Sequence, residues 1–94
     1  MKPRKAKDIK RTLLRKGFEL NPKKEHHEYY YFIIDGKKSE VFTYFSHSKT
    51  EYNKHLLSLI KHQLKFESND DFENFLDCPF SQDDYTKMLI NRTK

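Results

Sequence analysis

The sequence is poor in cysteine, glycine and long apolar runs. Its single cysteine, Cys78, cannot form a disulfide within the chain, which fits a reducing compartment. No stretch approaches the roughly 18–20 apolar residues that a transmembrane helix needs. No apolar segment follows the charged N-terminus, as a secretory signal would require. We therefore expect a cytoplasmic protein that has no membrane contact.

The sequence also lacks the common signatures of metal and nucleotide chemistry. Its cysteine and histidine residues do not have the spacing of a zinc site, and its two glycines form no phosphate-binding loop. We expect no metal site, no cofactor and no nucleotide-dependent reaction.

Aromatic residues are plentiful, with eight phenylalanines and six tyrosines among 94 residues. The mean hydropathy of −1.02 would alone favour disorder. Aromatic side chains bury a large area each, however, so a short chain can still form a core. The composition and the length together predict one small folded domain.

Charge is distributed unevenly along the chain. Residues 1–66 hold 16 basic and 7 acidic side chains, whereas residues 67–94 hold 3 basic and 7 acidic ones. A segregated basic surface is typical of proteins that bind polyanions, because neutralised phosphates release counterions. An ordinary solvated surface with excess charge explains the same counts equally well.

Hydrophobic periodicity predicts four helices. A first helix at residues 5–16 should end at Gly17, and a second at residues 50–65 should begin at a capping box of Ser48 and Glu51. Two short helices, at residues 68–77 and 81–91, complete the chain, since each follows a serine that has an aspartate three residues later.

Runs of β-forming residues predict three strands between the first two helices. They cover residues 18–20, 27–34 and 39–45, and the last two strands are joined by the turn Asp35-Gly36. Alternation places Phe42 and Tyr44 on the face opposite Thr43. One face should be the core, and the other an open platform for bases or for a partner. The predicted class is therefore α+β, in the order α-β-β-β-α with a three-stranded antiparallel sheet and two further C-terminal helices.

The first helix carries a basic stripe. Lys7, Arg11 and Arg15 repeat every four residues on the side away from its apolar positions. This stripe is either the solvated face of an amphipathic helix or a row of phosphate contacts, and we favour the second interpretation because only Asp8 interrupts it.

Two adjacent histidines, His26 and His27, are the best candidates for chemistry. They lie between Lys23-Lys24 and a run of tyrosines, and adjacent strand residues point to opposite faces, so at most one of them faces the core. An exposed imidazole that titrates near neutrality can act as a general base on a ribose 2′-hydroxyl without a metal. Two ordinary surface histidines would give the same pattern, and the residues alone favour that plainer interpretation.

Five segments together resemble one known family. In chain order they are KDIKRTLLRKGFEL, EHHEYYYF, DGKK, TYFSHS and LLSLIKHQLK. Their order and spacing over residues 5–66 resemble the HicA toxins, which have a double-stranded-RNA-binding-like fold. The resemblance implies a type II toxin–antitoxin system, in which the toxin is a metal-independent mRNA interferase and a HicB-like antitoxin is its partner.

The resemblance also implies roles for individual residues. The catalytic histidine of the family falls first on His26, because Tyr29 follows it at the family's spacing. His27, which Tyr30 follows at the same spacing, is the alternate general base. The glycine and serine that precede this histidine in the family are absent, and Lys24 and Glu25 stand there instead. The expected RNA contacts are Lys7, Arg11, Arg15, Lys23 and Lys24, with His47 and Lys49 at the start of the second helix as weaker candidates.

The expected organisation is a HicA-like domain at residues 1–66 and an acidic helical extension at residues 67–94 packed on it. The extension either docks on the chain's own basic surface or stabilises a homodimer. Two other functions remain open: an RNA-binding module without catalysis, and a protein-interaction domain that docks through its aromatic face. An interferase needs an exposed histidine beside the basic surface, whereas an RNA-binding module tolerates the loss of both histidines.

Overall fold

The protein is described by a computed structural model that covers residues 1–21, 27–77 and 79–92. Its α+β architecture with a three-stranded antiparallel sheet confirms the predicted fold class. The elements are, in chain order, β1 (Arg4–Lys5), α1 (Ala6–Arg15), β2 (Phe18–Asn21), β3 (His27–Ile34), β4 (Lys37–Ser46), β5 (Glu51–Tyr52), α2 (Lys54–Gln63), α3 (Asn69–Asp77) and α4 (Gln82–Arg92).

The main sheet has the order β2-β3-β4, with β3 in the centre. Tyr30 of β3 pairs with Leu20 on one side and with Thr43 on the other. Asp35 and Gly36 connect β3 to β4 with φ values of 53° and 78°. An Asp-Gly pair adopts positive φ at little cost, which explains why the hairpin forms at this dipeptide.

The predicted start of the second helix is wrong. Instead of opening the helix, Glu51 forms β5 with Tyr52, and this short strand pairs with β1 at the N-terminus. Tyr52 is buried, and its hydroxyl oxygen accepts a hydrogen bond from the Ser46 N–H at 3.1 Å. The helix therefore begins later, where the Asn53 side chain accepts the Leu56 N–H at 3.0 Å as the N-cap. Burial of the tyrosine and strand pairing outweigh the local capping signal.

The two C-terminal helices begin as their serines predict. The Ser68 hydroxyl accepts the backbone N–H of Asp71 at 3.2 Å. Ser81 and Asp84 form a reciprocal capping box, in which each side chain accepts the other residue's N–H at 3.1 Å.

One hydrophobic core joins the sheet to all four helices. Its buried members include Ile9 and Leu13 of α1, Leu57 and Ile60 of α2, Phe72 and Phe75 of α3, and Tyr85 of α4. The Tyr85 ring lies 5.0 Å from the rings of both Phe32 and Phe75, and its hydroxyl donates to the Leu64 carbonyl at 2.7 Å. Residues from the acidic extension thus pack directly against strands of the sheet.

A buried lysine strengthens this connection. Lys16 is the residue after α1. Its ammonium donates hydrogen bonds to the carbonyl oxygens of Phe75 and Phe80, the latter at 2.7 Å. It also lies 4.7 Å from the centre of the Phe75 ring. Gly17 follows with a φ of +95°, and a Cβ here would lie 2.6 Å from the Gln82 side chain. The backbone at the end of α1 therefore closely approaches the start of α4.

Candidate nucleic-acid interface

His27 lies at the start of β3 on the face of the sheet that is turned away from the core. It pairs with Ser46 at the end of β4 and is half-buried. Its imidazole ring lies 5.3 Å from the ring of Tyr44 and 6.3 Å from that of Tyr29, with both contacts edge-to-face. The ring is held by aromatic neighbours and remains accessible.

His27 lines a small cavity beside α2. The cavity has a volume of about 160 Å³ and is lined by His27, Tyr44, Ser46, Lys49, Tyr52, Leu56, Leu59, Ile60 and Gln63. Its apolar wall comes from α2, whereas the strands and the segment after β4 supply an imidazole, hydroxyl groups and an ammonium group. We call this space the His27 cavity.

A second, more open depression lies between α1 and the segment that follows β4. Its volume is about 420 Å³, and its lining residues are Lys5, Ala6, Lys7, Lys10, His47, Lys49, Thr50 and Glu51. We call this depression the basic groove. Lys49 lines both the basic groove and the His27 cavity. Three of the predicted contacts, Lys7, His47 and Lys49, therefore line one groove, which meets the His27 cavity at Lys49.

The other two predicted contacts on α1 do not line the basic groove. Arg11 pairs with Asp8 at 3.5 Å, and both line, together with Lys7, a groove that reaches Asp77 of α3. Arg15 is exposed at the C-terminal end of α1 and does not line the basic groove. Lys7 lines both grooves, and it is the member of the predicted stripe that reaches the basic groove. His26, Lys23 and Lys24 lie outside the described residues.

The acidic helix α3 faces the N-terminus of the chain. Asp77 accepts two hydrogen bonds from the Arg4 guanidinium, at 2.6 and 3.1 Å, and this contact lowers the pKa of the carboxyl group and raises that of the guanidinium. Asp70 and Glu73 line a groove together with Lys2 and Arg4. The carboxylates of α3 therefore offset the positive charges of Lys2 and Arg4. The lining of the basic groove contains three lysines of the N-terminal region and no carboxylate of α3.

Glu28, the residue after His27 in β3, connects the sheet to α1. It accepts a hydrogen bond from the Lys10 ammonium at 3.2 Å and one from the Tyr30 hydroxyl at 3.1 Å. Burial and the Glu28 charge raise the pKa of Tyr30 to about 12, so its phenol stays neutral. Lys10 is held at the edge of the basic groove by this ion pair.

Sequence reasoning missed Lys5, Lys10 and Ser46. Lys10 follows Lys7 by three residues on the same helix, and this i,i+3 spacing places the two side chains side by side. Lys5 reaches the groove because β1 pairs with β5, and Ser46 reaches the cavity through its register with His27. The sequence carries no local signal for either of these placements.

The arrangement combines a proton acceptor, a hydroxyl group and cations at one end of the sheet. Among the described residues, no group of three or more histidine, cysteine, aspartate or glutamate side chains could hold a metal ion. No helix in the described part of the chain is long and apolar enough to cross a membrane.

Comparison of the chain with family models, with curated proteins and with solved structures finds no match. The resemblance to HicA toxins therefore rests on the residue pattern alone.

Proposed function

We propose that this protein binds RNA in the basic groove and cleaves it at His27 without a metal, as a HicA-like mRNA interferase does. The supporting observation is the position of Lys49, which lines both the groove and the His27 cavity. A phosphate bound by Lys49 would bring the adjoining ribose close to the imidazole. The basic groove would bind the neighbouring phosphates through Lys7 and His47.

The chemistry follows from the groups present. The neutral His27 imidazole takes the proton of a ribose 2′-hydroxyl, and the freed oxygen attacks the adjacent phosphorus. The bond from phosphorus to the 5′ oxygen breaks, which leaves a 2′,3′-cyclic phosphate and a 5′-hydroxyl. The imidazolium returns its proton to the departing 5′ oxygen, directly or through a water molecule. Lys49 stabilises the additional negative charge on the phosphate in the transition state.

The substrate supplies its own nucleophile, so the reaction needs no metal ion. By the same resemblance, a HicB-like antitoxin would be the partner, and it would inhibit the reaction by covering His27 and the basic groove. Antitoxin binding would then compete with RNA binding.

The test compares two substrates of identical sequence in the presence of EDTA. We expect the wild-type protein to cleave a long single-stranded RNA and to leave its fully 2′-O-methylated counterpart intact, because the methyl group removes the nucleophile. The products should carry 2′,3′-cyclic phosphates, which mass spectrometry detects. Cleavage of the methylated strand, or cleavage only when a metal is added, would contradict the mechanism. Binding of both strands without any cleavage would assign the protein to the non-catalytic RNA-binding class.

A further inference from the structure

The outer face of the sheet carries a cluster of aromatic side chains outside the hydrophobic core. We call it the outer aromatic face, and it consists of Tyr29 and Tyr31 of β3 and of Phe42 and Tyr44 of β4. These four residues do not belong to the core cluster that joins the sheet to the helices. Tyr44 is 40% exposed, and the other three are half-buried. The strand residues that alternate with them, among them Tyr30, Phe32 and Phe45, belong to that core.

The four rings form a continuous layer. Tyr29 and Tyr44 are paired across the strands with their ring centres 5.3 Å apart, and Tyr31 and Phe42 are 5.2 Å apart. Tyr29 also stacks on Tyr31 at 6.5 Å, with an angle of 22° between the two planes. Mutual stacking restrains the rings, so a ligand that packs on them would cost little side-chain entropy.

A lysine lies near each end of this layer. The Lys38 ammonium lies 5.2 Å from the centre of the Tyr31 ring at the hairpin end. At the other end, His27 packs against Tyr44 and shares its cavity with Lys49. Glu19 of β2 pairs with Tyr31 and contributes one negative charge beside the layer. Aromatic rings between cationic groups match a ligand whose planar ring systems are linked through phosphate groups.

We propose that the outer aromatic face is the base-binding subsite for single-stranded RNA, whose bases stack on Tyr29, Tyr31, Phe42 and Tyr44 as the strand leaves the His27 cavity. This inference rests on the proposed function, because it takes RNA to be the ligand. Bases in a duplex are paired and stacked on each other, so only an unpaired strand presents faces to this layer. The substrate class is therefore single-stranded RNA, and the face is tolerant of sequence, since every base can stack.

The experiment separates base stacking from phosphate binding. Fluorescence anisotropy measures the affinity of the wild-type protein for a non-cleavable 2′-O-methyl oligonucleotide of uridines and for its abasic counterpart, which has the same phosphates. A stacked base contributes about 5- to 150-fold to affinity. We therefore expect the strand with bases to bind at least about 10-fold more tightly. The Tyr31→Leu/Phe42→Leu variant, which keeps apolar side chains but removes two rings, should lose most of this difference and bind the abasic strand as the wild type does.

The matched control is Leu14→Ala, which removes an exposed leucine from α1 and should change neither affinity. Equal affinity of the wild type for the two strands would overturn the inference and leave cleavage at His27 untouched. A base preference that survives in the double-leucine variant would overturn it as well, because the bases would then bind elsewhere. Failure to bind either strand would overturn both the inference and the proposed function.

Base-dependent binding without cleavage would uphold the subsite and contradict only the catalytic step. A self-associating wild type that the double-leucine variant converts to a monomer, with RNA affinity unchanged, would identify the face as an interface between two copies of this chain. That result would also overturn the inference.

Discussion

Replacing His27 with alanine is expected to slow RNA cleavage by about 100- to 10,000-fold, because a positioned general base contributes that much to a proton transfer. The variant should still bind a 2′-O-methyl RNA with an affinity within about threefold of the wild type, since Lys7 and Lys49 remain in the basic groove. The loss should therefore fall on the rate of cleavage at saturating RNA and leave binding almost unchanged. Single-turnover cleavage in EDTA measures this rate directly.

Two further histidine variants serve as controls. His62 is exposed on α2 and does not line the His27 cavity, so His62→Ala should cleave at the wild-type rate. His26→Ala is also expected to remain active, since the mechanism assigns proton transfer to His27. A His26→Ala variant that is folded by circular dichroism but inactive, beside an active His27→Ala variant, would move the catalytic role to His26.

Replacing Tyr85 with alanine is expected to lower the free energy of unfolding by about 3–5 kcal/mol, as the removal of a buried aromatic ring does. Tyr85 is fully buried. Its ring contacts Phe18 and Phe32 of the strands, Phe66 of the loop after α2, and Phe75 of α3. A domain of this length has a total stability of about 5–14 kcal/mol. The variant should therefore be close to unfolding, and urea denaturation followed by circular dichroism measures the change.

Tyr85→Phe is the conservative partner of this variant. It keeps the ring and removes the hydroxyl that donates to the Leu64 carbonyl, so we expect a loss of about 1–3 kcal/mol. Lys87→Ala, at an exposed position of the same helix, should change the stability by less than about 0.5 kcal/mol. A Tyr85→Ala protein as stable as the wild type would show that α4 does not contribute to the core.

Strong local patterns made much of the fold predictable. The run from His27 to Ile34 is rich in β-forming residues, and the Asp35-Gly36 turn defines the hairpin. Strict alternation also separated Phe42 and Tyr44 from Thr43 correctly, since Thr43 is buried and Tyr44 is exposed. These signals arise from residues that are close in sequence.

The pairing of β1 with β5 was not predictable. Each strand has two residues, too few for a periodic pattern, and the partners lie at distant points in the sequence. The burial of Lys16 was equally hidden, because lysine is rarely buried and its carbonyl partners come from α3 and the segment before α4.

The grouping of residues in the candidate site was likewise not predictable from the sequence. The sequence identified His27, Lys7, His47 and Lys49 as separate candidates, but their proximity depends on the packing of α1 beside the segment that follows β4. The i,i+4 spacing grouped Lys7 with Arg11 and Arg15. Lys7 does share a groove with Arg11, but the tertiary structure also places it in the basic groove with Lys10 and Lys49. Periodicity within one helix shows which side is polar and does not show which part of that side adjoins another element.

NMR tests whether RNA binds where the basic groove meets the His27 cavity. A ¹⁵N-labelled protein is titrated with a 2′-O-methyl oligonucleotide, which binds without being cleaved. The largest chemical-shift changes should fall on His27, Ser46 and Lys49, with further changes at Lys7 and His47. Changes confined to the acidic helices α3 and α4, or no changes at a saturating oligonucleotide concentration, would contradict the claim.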